Sequence, residues 1–218
     1  WAVDTASYAT NVAGDFAEIR VGESARSIAD IAVTGLGDVH LSHRGIDALH
    51  YVNIPSGGAG SATVVSVDVR SGGGSSIAAD GEQVYITYET PDGLALAEGG
   101  ISGFESRVLE REAGGVTSTA WAGGQLHIAY ARIEDSDPTE TRYGRLRGDS
   151  FESERVSTGS ARIFGLALGP DMAPHIIWSS VTEIGYATRV GGRWAHVPLE
   201  SSGYTWSVGV GVGDDALA

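Results

Sequence analysis

Three histidines, two arginines and two tryptophans of this 218-residue chain stand where their chemistry would matter. His40, His127 and His175 occur in the phrases VHLSH (39–43), LHIAY (126–130) and PHIIW (174–178), each at the second place of an alternating apolar run. Equivalent imidazoles suggest metal ligation. Each lies in a separate segment of the chain, however, so the pattern reads as packing that recurs. His40 and His43 are three apart on a strand and point to opposite faces, so they cannot chelate together. Arg26 and Arg162 occupy one recurring position, where Ser75, Thr117 and Thr205 stand in the other copies. Trp121 and Trp206 interrupt segments otherwise built of small residues. Guanidinium forks beside indole faces suit a concave site for a carboxylate or a sugar. Arg26, Arg162, Trp121 and Trp206 are therefore the candidate ligand-binding residues, expected to gather at one mouth of a central channel.

The acidic residues lead less far. Asp30 and Asp80 are the acids of the same small-residue segments, one register step apart. With no third carboxylate beside them they do not make the flanking pair that glycoside hydrolysis needs, and no catalytic residue is assigned. The stretch EDSDPTE (134–140) offers Asp135, Asp137 and Glu140 to a calcium ion, but the spacing is not that of an EF-hand, and a solvated loop is the preferred reading. GVGVGDD (209–215) lacks the Gly-Lys-Ser/Thr element of a phosphate loop. No metal and no cofactor are expected.

Composition narrows the partners. The formal net charge is −14, with 14 basic residues against 28 acidic ones. A nucleic acid or an anionic membrane surface would want the opposite sign. No run of apolar residues is long enough for a spanning helix. The absence of cysteine excludes disulfides, thiolate nucleophiles and Cys-ligated zinc. The 32 glycines point to many turns between short strands.

The elements that must position these residues emerge from a repeat. Tyr8, Tyr51, Leu96, Tyr143 and Tyr186 anchor five related phrases, 43, 45, 47 and 43 residues apart. Ahead of the last four anchors comes an alternating strand: VHLSH, VYITY, LHIAY or PHIIW. Ahead of that comes a small-residue strand, as in ARSIADIAV, GSSIAADGE, VTSTAWAGG, ARIFGLALG and YTWSVGVGV, running into Gly/Asp turns of hairpin type. A fourth strand follows each anchor. The first anchor lacks its preceding strand, but residues 215–218 joined to Trp1 read DALAW, which matches PHIIW in apolar positions and final aromatic. The expected fold is thus all-β: one five-bladed β-propeller, four antiparallel strands per blade, its ring closed by a blade shared between the two ends. The expected blades are 204–218 with 1–22, then 23–72, 73–114, 115–159 and 160–203.

SIAADGEQVYITY, GGQLHIAYA and GYATRVGGRWAHV together resemble the repeats of bacterial β-propeller proteins of sialidase-like and lectin type. The blade count is similar to that of tachylectin-2-like lectins and of five-bladed glycosidases. The sialidase Asp-box, Ser-x-Asp-x-Gly-x-Thr-Trp, is absent. The resemblance implies a non-catalytic, lectin-like propeller that binds a carbohydrate, a glycoconjugate or another small anionic ligand. A glycosidase- or lyase-like enzyme with an axial pocket is the alternative, and a scaffold for a protein partner is the third reading. An extracellular or periplasmic setting is favoured over the cytoplasm.

Overall fold

The computed structural model describes residues 5–10, 17–23, 30–45, 48–56, 61–66, 74–134, 137–159, 162–180 and 183–201. Every regular element among them is a β-strand. The first sheet holds β3 (Asp30–Val33), β4 (Val39–Arg44), β5 (Leu49–Ile54) and β6 (Ser61–Ser66). The second holds β7 (Ser75–Asp80), β8 (Gln83–Thr90), β9 (Gly93–Gly100) and β10 (Gly103–Glu110). The third holds β11 (Ala113–Ala122), β12 (Gln125–Glu134), β13 (Asp137–Arg147) and β14 (Ser150–Thr158). The fourth holds β15 (Arg162–Leu168), β16 (Pro174–Ser179), β17 (Glu183–Val190) and β18 (Arg193–Ser201). All four are antiparallel meanders with strands in chain order. A separate hairpin pairs β1 (Thr5–Thr10) with β2 (Ala17–Glu23). The strand expected from residues 215–218 with Trp1, and with it the closure of the ring, lies outside the described residues, as do Arg26, Trp206 and Asp135.

The meanders turn where glycine permits a left-handed backbone. Asp80 pairs with Gln83 across a two-residue turn whose Gly81 has φ of 61°, and Val190 pairs with Arg193 across Gly191 and Gly192 at 58° and 82°. Such primed turns match the twist of the strands they join.

The sheets pack face to face, and three cores are each shared by two of them. Leu49 and Tyr51 of the first sheet meet Ile77, Val84, Ile86 and Tyr88 of the second. Ala78, Leu94 and Leu96 on the other face of the second meet Leu126, Ile128, Tyr130 and Leu146 of the third. Ala129, Tyr143 and Val156 then meet Leu166, Ile176 and Trp178 of the fourth. A sheet with two apolar faces cannot stand alone in water, so stacking is obligatory. The outer strands β10, β14 and β18 are the more exposed ones.

At the inner edge β3, β7, β11 and β15 approach one another in turn, and one repeat position clasps each to the next. The Asp30 carboxylate accepts from the Ile77 amide at 3.0 Å. Ser76 Oγ accepts from the Thr119 amide at 2.9 Å. Ser118 Oγ accepts from the Leu166 amide at 2.9 Å. Asp30, Ser76 and Ser118 are equivalent by register, facing Ser42, Thr87 and Ala129 across their hairpins. Asp30, considered above as an acid of a glycosidase pair, serves in this clasp and also accepts from Ser76 Oγ at 2.6 Å. Further hydroxyls join the layer: Ser75 Oγ donates to Ser42 Oγ at 3.0 Å, and Thr87 Oγ1 pairs with Thr117 and Thr119. Small polar side chains let the inner strands come close while satisfying backbone groups that hydrophobic ones would strand.

Ser76 serves two neighbours. Ser76→Ala should therefore destabilise the protein by about 2–4 kcal/mol, and Ser118→Ala by about half as much, because buried donors and acceptors lose partners. Urea unfolding of the two variants measures this, and losses below about 0.5 kcal/mol in both would contradict the clasp.

Candidate functional site

The recurring histidines meet the recurring tyrosines inside three of the four sheets. His40 Nδ1 lies 2.7 Å from the Tyr51 hydroxyl, His127 Nδ1 2.5 Å from Tyr143, and His175 Nδ1 2.5 Å from Tyr186. In the first sheet the register places Asn53 opposite His40 and Tyr51 opposite Ser42, so the pair spans a cross-strand diagonal on one face. Asn53 Nδ2 also lies 3.4 Å from His40 Nδ1. With two donors facing it, that nitrogen accepts and the ring proton sits on Nε2. Burial lowers the pKa of His40 and of His127, and raises that of Tyr143 to about 12. The His40–Tyr51 and His127–Tyr143 pairs are neutral braces at physiological pH. In the second sheet the two positions hold Tyr85 and Leu96, and the pair is absent.

One brace borders a cleft. Between the first and second sheets, at the end carrying the β3–β4 and β7–β8 turns, lies a cavity of about 790 Å³. Asp38, His40, Tyr51, Asn53 and Pro55 line it from the first sheet, and residues 80–83 and 99–102 from the second. Gly100 permits a close approach to the neighbouring strand end, since a Cβ there would lie 2.8 Å from the Glu82 carbonyl oxygen. Asp38 is fixed by accepting from the Ser56 amide at 2.8 Å. Asp80, Glu82 and Gln83 are exposed. The lining thus combines carboxylates, two planar amides and a buried imidazole with little apolar wall.

A smaller cavity of about 320 Å³ lies at the opposite end, between the β8–β9 turn and the β10–β11 connection. Farther out, Glu110 of the second sheet joins the third: Tyr130 Oη and Ser153 Oγ donate to its Oε2 at 2.5 and 2.9 Å, and Arg142 Nε stands 3.4 Å from its Oε1. Burial, followed by the Glu110 contact, pushes the Tyr130 hydroxyl above its ordinary range.

The candidate residues from the sequence do not gather at one place. Arg162 opens β15 and is exposed. Trp121 stands one residue from the end of β11, at the hairpin that Ala122 and Gln125 close. The inner strands run the same way, so the two side chains belong to opposite ends of the inner strands, separated by roughly 20 Å of strand at ~3.3 Å per residue. Trp121 stacks on Tyr85 of the second sheet, ring centroids 4.6 Å apart and planes 9° from parallel. Arg26 and Trp206 lie outside the described residues. Glu140 is engaged by Arg142 at 2.9 Å and Arg155 at 3.7 Å; Asp135 and the side chain of Asp137 are outside the description. Among the described residues no three His, Asp or Glu side chains stand close enough to hold one metal ion. Asp38, Asn53, Glu82 and Gln83 escaped the sequence reading because they sit in or beside hairpin turns, where polar residues need no special explanation.

No protein-family model matches the chain, and no curated protein matches it in sequence. Solved structures match in shape. The SapL1 lectin, solved in complex with alpha methyl fucoside, superposes at a TM-score of 0.62 with 12% identity over 84% of this chain and 69% of that one. Hydrazine synthase of Kuenenia stuttgartiensis superposes at 0.59 with 16% identity over 84% and 57%. A subtype N11 neuraminidase-like protein of A/flat-faced bat/Peru/033/2010 (H18N11) superposes at 0.52 with 11% identity over 77% and 51%, so this chain spans about half its length. At such identities the likeness is one of fold. The chain is an all-β protein of the β-propeller class, with four four-stranded blades among the described residues. No helix among those residues is long and apolar enough to cross a membrane.

The buried imidazoles link stability to pH. His40, His43 and His127 are each 2% exposed and have lowered pKa values, burial being the largest cause. For His43 the neighbouring His50, stacked at 5.0 Å, adds to the effect. Below ~6.5 the unfolded chain binds protons that the folded one refuses, so stability is full above that pH and falls beneath it. The unfolding free energy should drop between about pH 6.5 and 5, with a slope of up to ~1.4 kcal/mol per pH unit for each histidine. His127→Gln should lower that slope by about one proton; an unchanged slope would contradict the neutral buried state.

Proposed function

We propose that this propeller is a non-catalytic binding protein whose ligand is a carbohydrate or the glycan of a glycoconjugate, held in the cleft between the first and second sheets. The observation that carries this reading is the lining of that cleft. Asn53, Gln83, Asp38, Asp80 and Glu82 border about 790 Å³ of space between two rigid sheets. Planar amides and carboxylates can each engage two adjacent sugar hydroxyls, and the volume falls within the range of small-ligand sites. Pro55 and Ile101 supply limited apolar surface for a ring face. The fold likeness to a lectin bound to alpha methyl fucoside lends support. Hydrolysis would ask for a carboxylate pair flanking one bond, whereas here Asp38 stands on the β3–β4 turn and Asp80 and Glu82 share the β7–β8 turn.

The same reading includes the architecture. The ring comprises five blades, the fifth composed of 204–218 with 1–22 and closed by strand pairing between the ends, with the others at 23–72, 73–114, 115–159 and 160–203. Closure removes exposed strand edges, which a repeat array must otherwise protect. A carbohydrate ligand agrees best with action outside the cytoplasm.

A glycan array probed with the purified protein tests the reading. Asn53→Ala and Gln83→Ala should each weaken binding of an array hit about five- to tenfold, the loss expected of one or two hydrogen bonds. Absence of any glycan binding, or full affinity in both variants, would overturn it. Accumulation of cleaved glycan would show an enzyme instead.

A further inference from the structure

The first cleft has a counterpart in the next inter-sheet space, and the two differ at one repeat position. Register makes Ala79 and Trp121 equivalent: Ala79 faces Val84 and Trp121 faces Leu126, each just before its hairpin. His40 and Tyr85 are likewise equivalent, opposite Asn53 and Glu98. In the second space Trp121 lies flat on Tyr85 at 4.6 Å and occupies the volume. In the first space the position equivalent to Trp121 holds Ala79, which packs against the shared core, and the cavity lies between His40 and the β7–β8 turn that follows Ala79.

Among the described residues the charges of the open cleft are all of one sign: Asp38, Asp80 and Glu82 line it, and no arginine does. Among the described residues none of these three carboxylates takes part in an ion pair within 4.0 Å. His40 also lines the space; it is 2% exposed, and its Nε2 has no partner among the described residues. A low-dielectric cleft lined by one sign of charge concentrates the opposite sign and repels its own.

Building on the carbohydrate reading above, we propose that this cleft selects an amino-bearing sugar, whose ammonium is drawn to the acidic lining that Asp38, Asp80 and Glu82 supply, that it rejects uronates, and that the small residue at the Trp121-equivalent position, Ala79, leaves it open. The free amine gains charge-assisted hydrogen bonds that an acetamide lacks, while a carboxylate brings repulsion.

The test is calorimetric titration near neutral pH with three probes: a glucosamine trimer bearing free amines, its fully N-acetylated counterpart and trigalacturonate. The glucosamine trimer should bind about tenfold more tightly than the acetylated one at low salt, the gap narrowing as salt is added. Trigalacturonate should not bind. The exposed pair Asp80→Asn with Glu82→Gln should erase the advantage of the amine, so that the two chito-trimers bind this variant alike. Ala79→Trp, copying the residue next door, should abolish binding of both. If trigalacturonate binds as well as the glucosamine trimer, or the two chito-trimers bind equally, the selectivity is wrong while the carbohydrate reading stands. If none of the three binds but the array shows other glycans, the amino-sugar assignment alone fails; if the array is also blank, the carbohydrate reading fails with it. Undiminished binding by folded Ala79→Trp would overturn the role of Ala79 and place the site elsewhere. Should that variant fail to fold, the Asp80/Glu82 double variant decides the electrostatic claim, and Ser102→Trp, at an exposed turn lining the same cleft, should block it.

Discussion

The inner edges of the sheets must come close enough to share backbone hydrogen bonds through a single short side chain. Asp30, Ser76 and Ser118 meet that condition by accepting from the amides of Ile77, Thr119 and Leu166. A longer side chain would push the strands apart, and an apolar one would leave an amide buried without a partner. With the inner strands held in this register, the rest of each interface follows. Ile77 and Ile86 come to lie over Leu49 and Tyr51, Leu126 and Ile128 over Leu94 and Leu96, and Ile176 and Trp178 over Tyr143 and Val156. Apolar burial supplies most of the stabilisation, while the clasp supplies the alignment.

The sheets diverge outward from that edge, and divergence creates gaps that each interface fills differently. Between the second and third sheets Trp121 covers Tyr85 at the hairpin end, and Glu110, Tyr130, Arg142 and Ser153 tie the outer part. Between the first and second the corresponding inner residue is small and the gap remains as the polar cleft. Function in a repeat protein resides in such departures from the repeat. The constant positions are already occupied with holding the stack together.

The His–Tyr pairs illustrate the constant part. Each couples adjacent strands of one sheet through a hydrogen bond between two polar side chains, both buried in the first and third sheets, where burial holds the imidazole pKa below its ordinary value. Where the tyrosine gives way to Leu96 the histidine gives way to Tyr85, since either partner alone would leave a buried polar group unpaired. The loss of the pair frees that face for the Trp121 stack.

Much of the fold was legible in the chain itself. Alternating runs such as LHIAY and PHIIW, spaced by Gly-rich turns, determine strands and hairpins because both signals are local: period-two burial and left-handed glycines. Their recurrence determines four-stranded units that must stack. The site was hardly legible. Periodicity tells which face a side chain occupies but not which neighbour covers it, so Asp30 could be read as a candidate acid although it clasps Ile77, 47 residues away. Arg162 and Trp121 both depart from the small-residue pattern, yet only the assembled strands place them at opposite ends. Asp38, Asn53, Glu82 and Gln83 are ordinary turn and strand-end residues in sequence; they face a common cavity because two sheets that share a core bring their turns side by side. That convergence depends on contacts between distant segments, which tertiary packing alone decides.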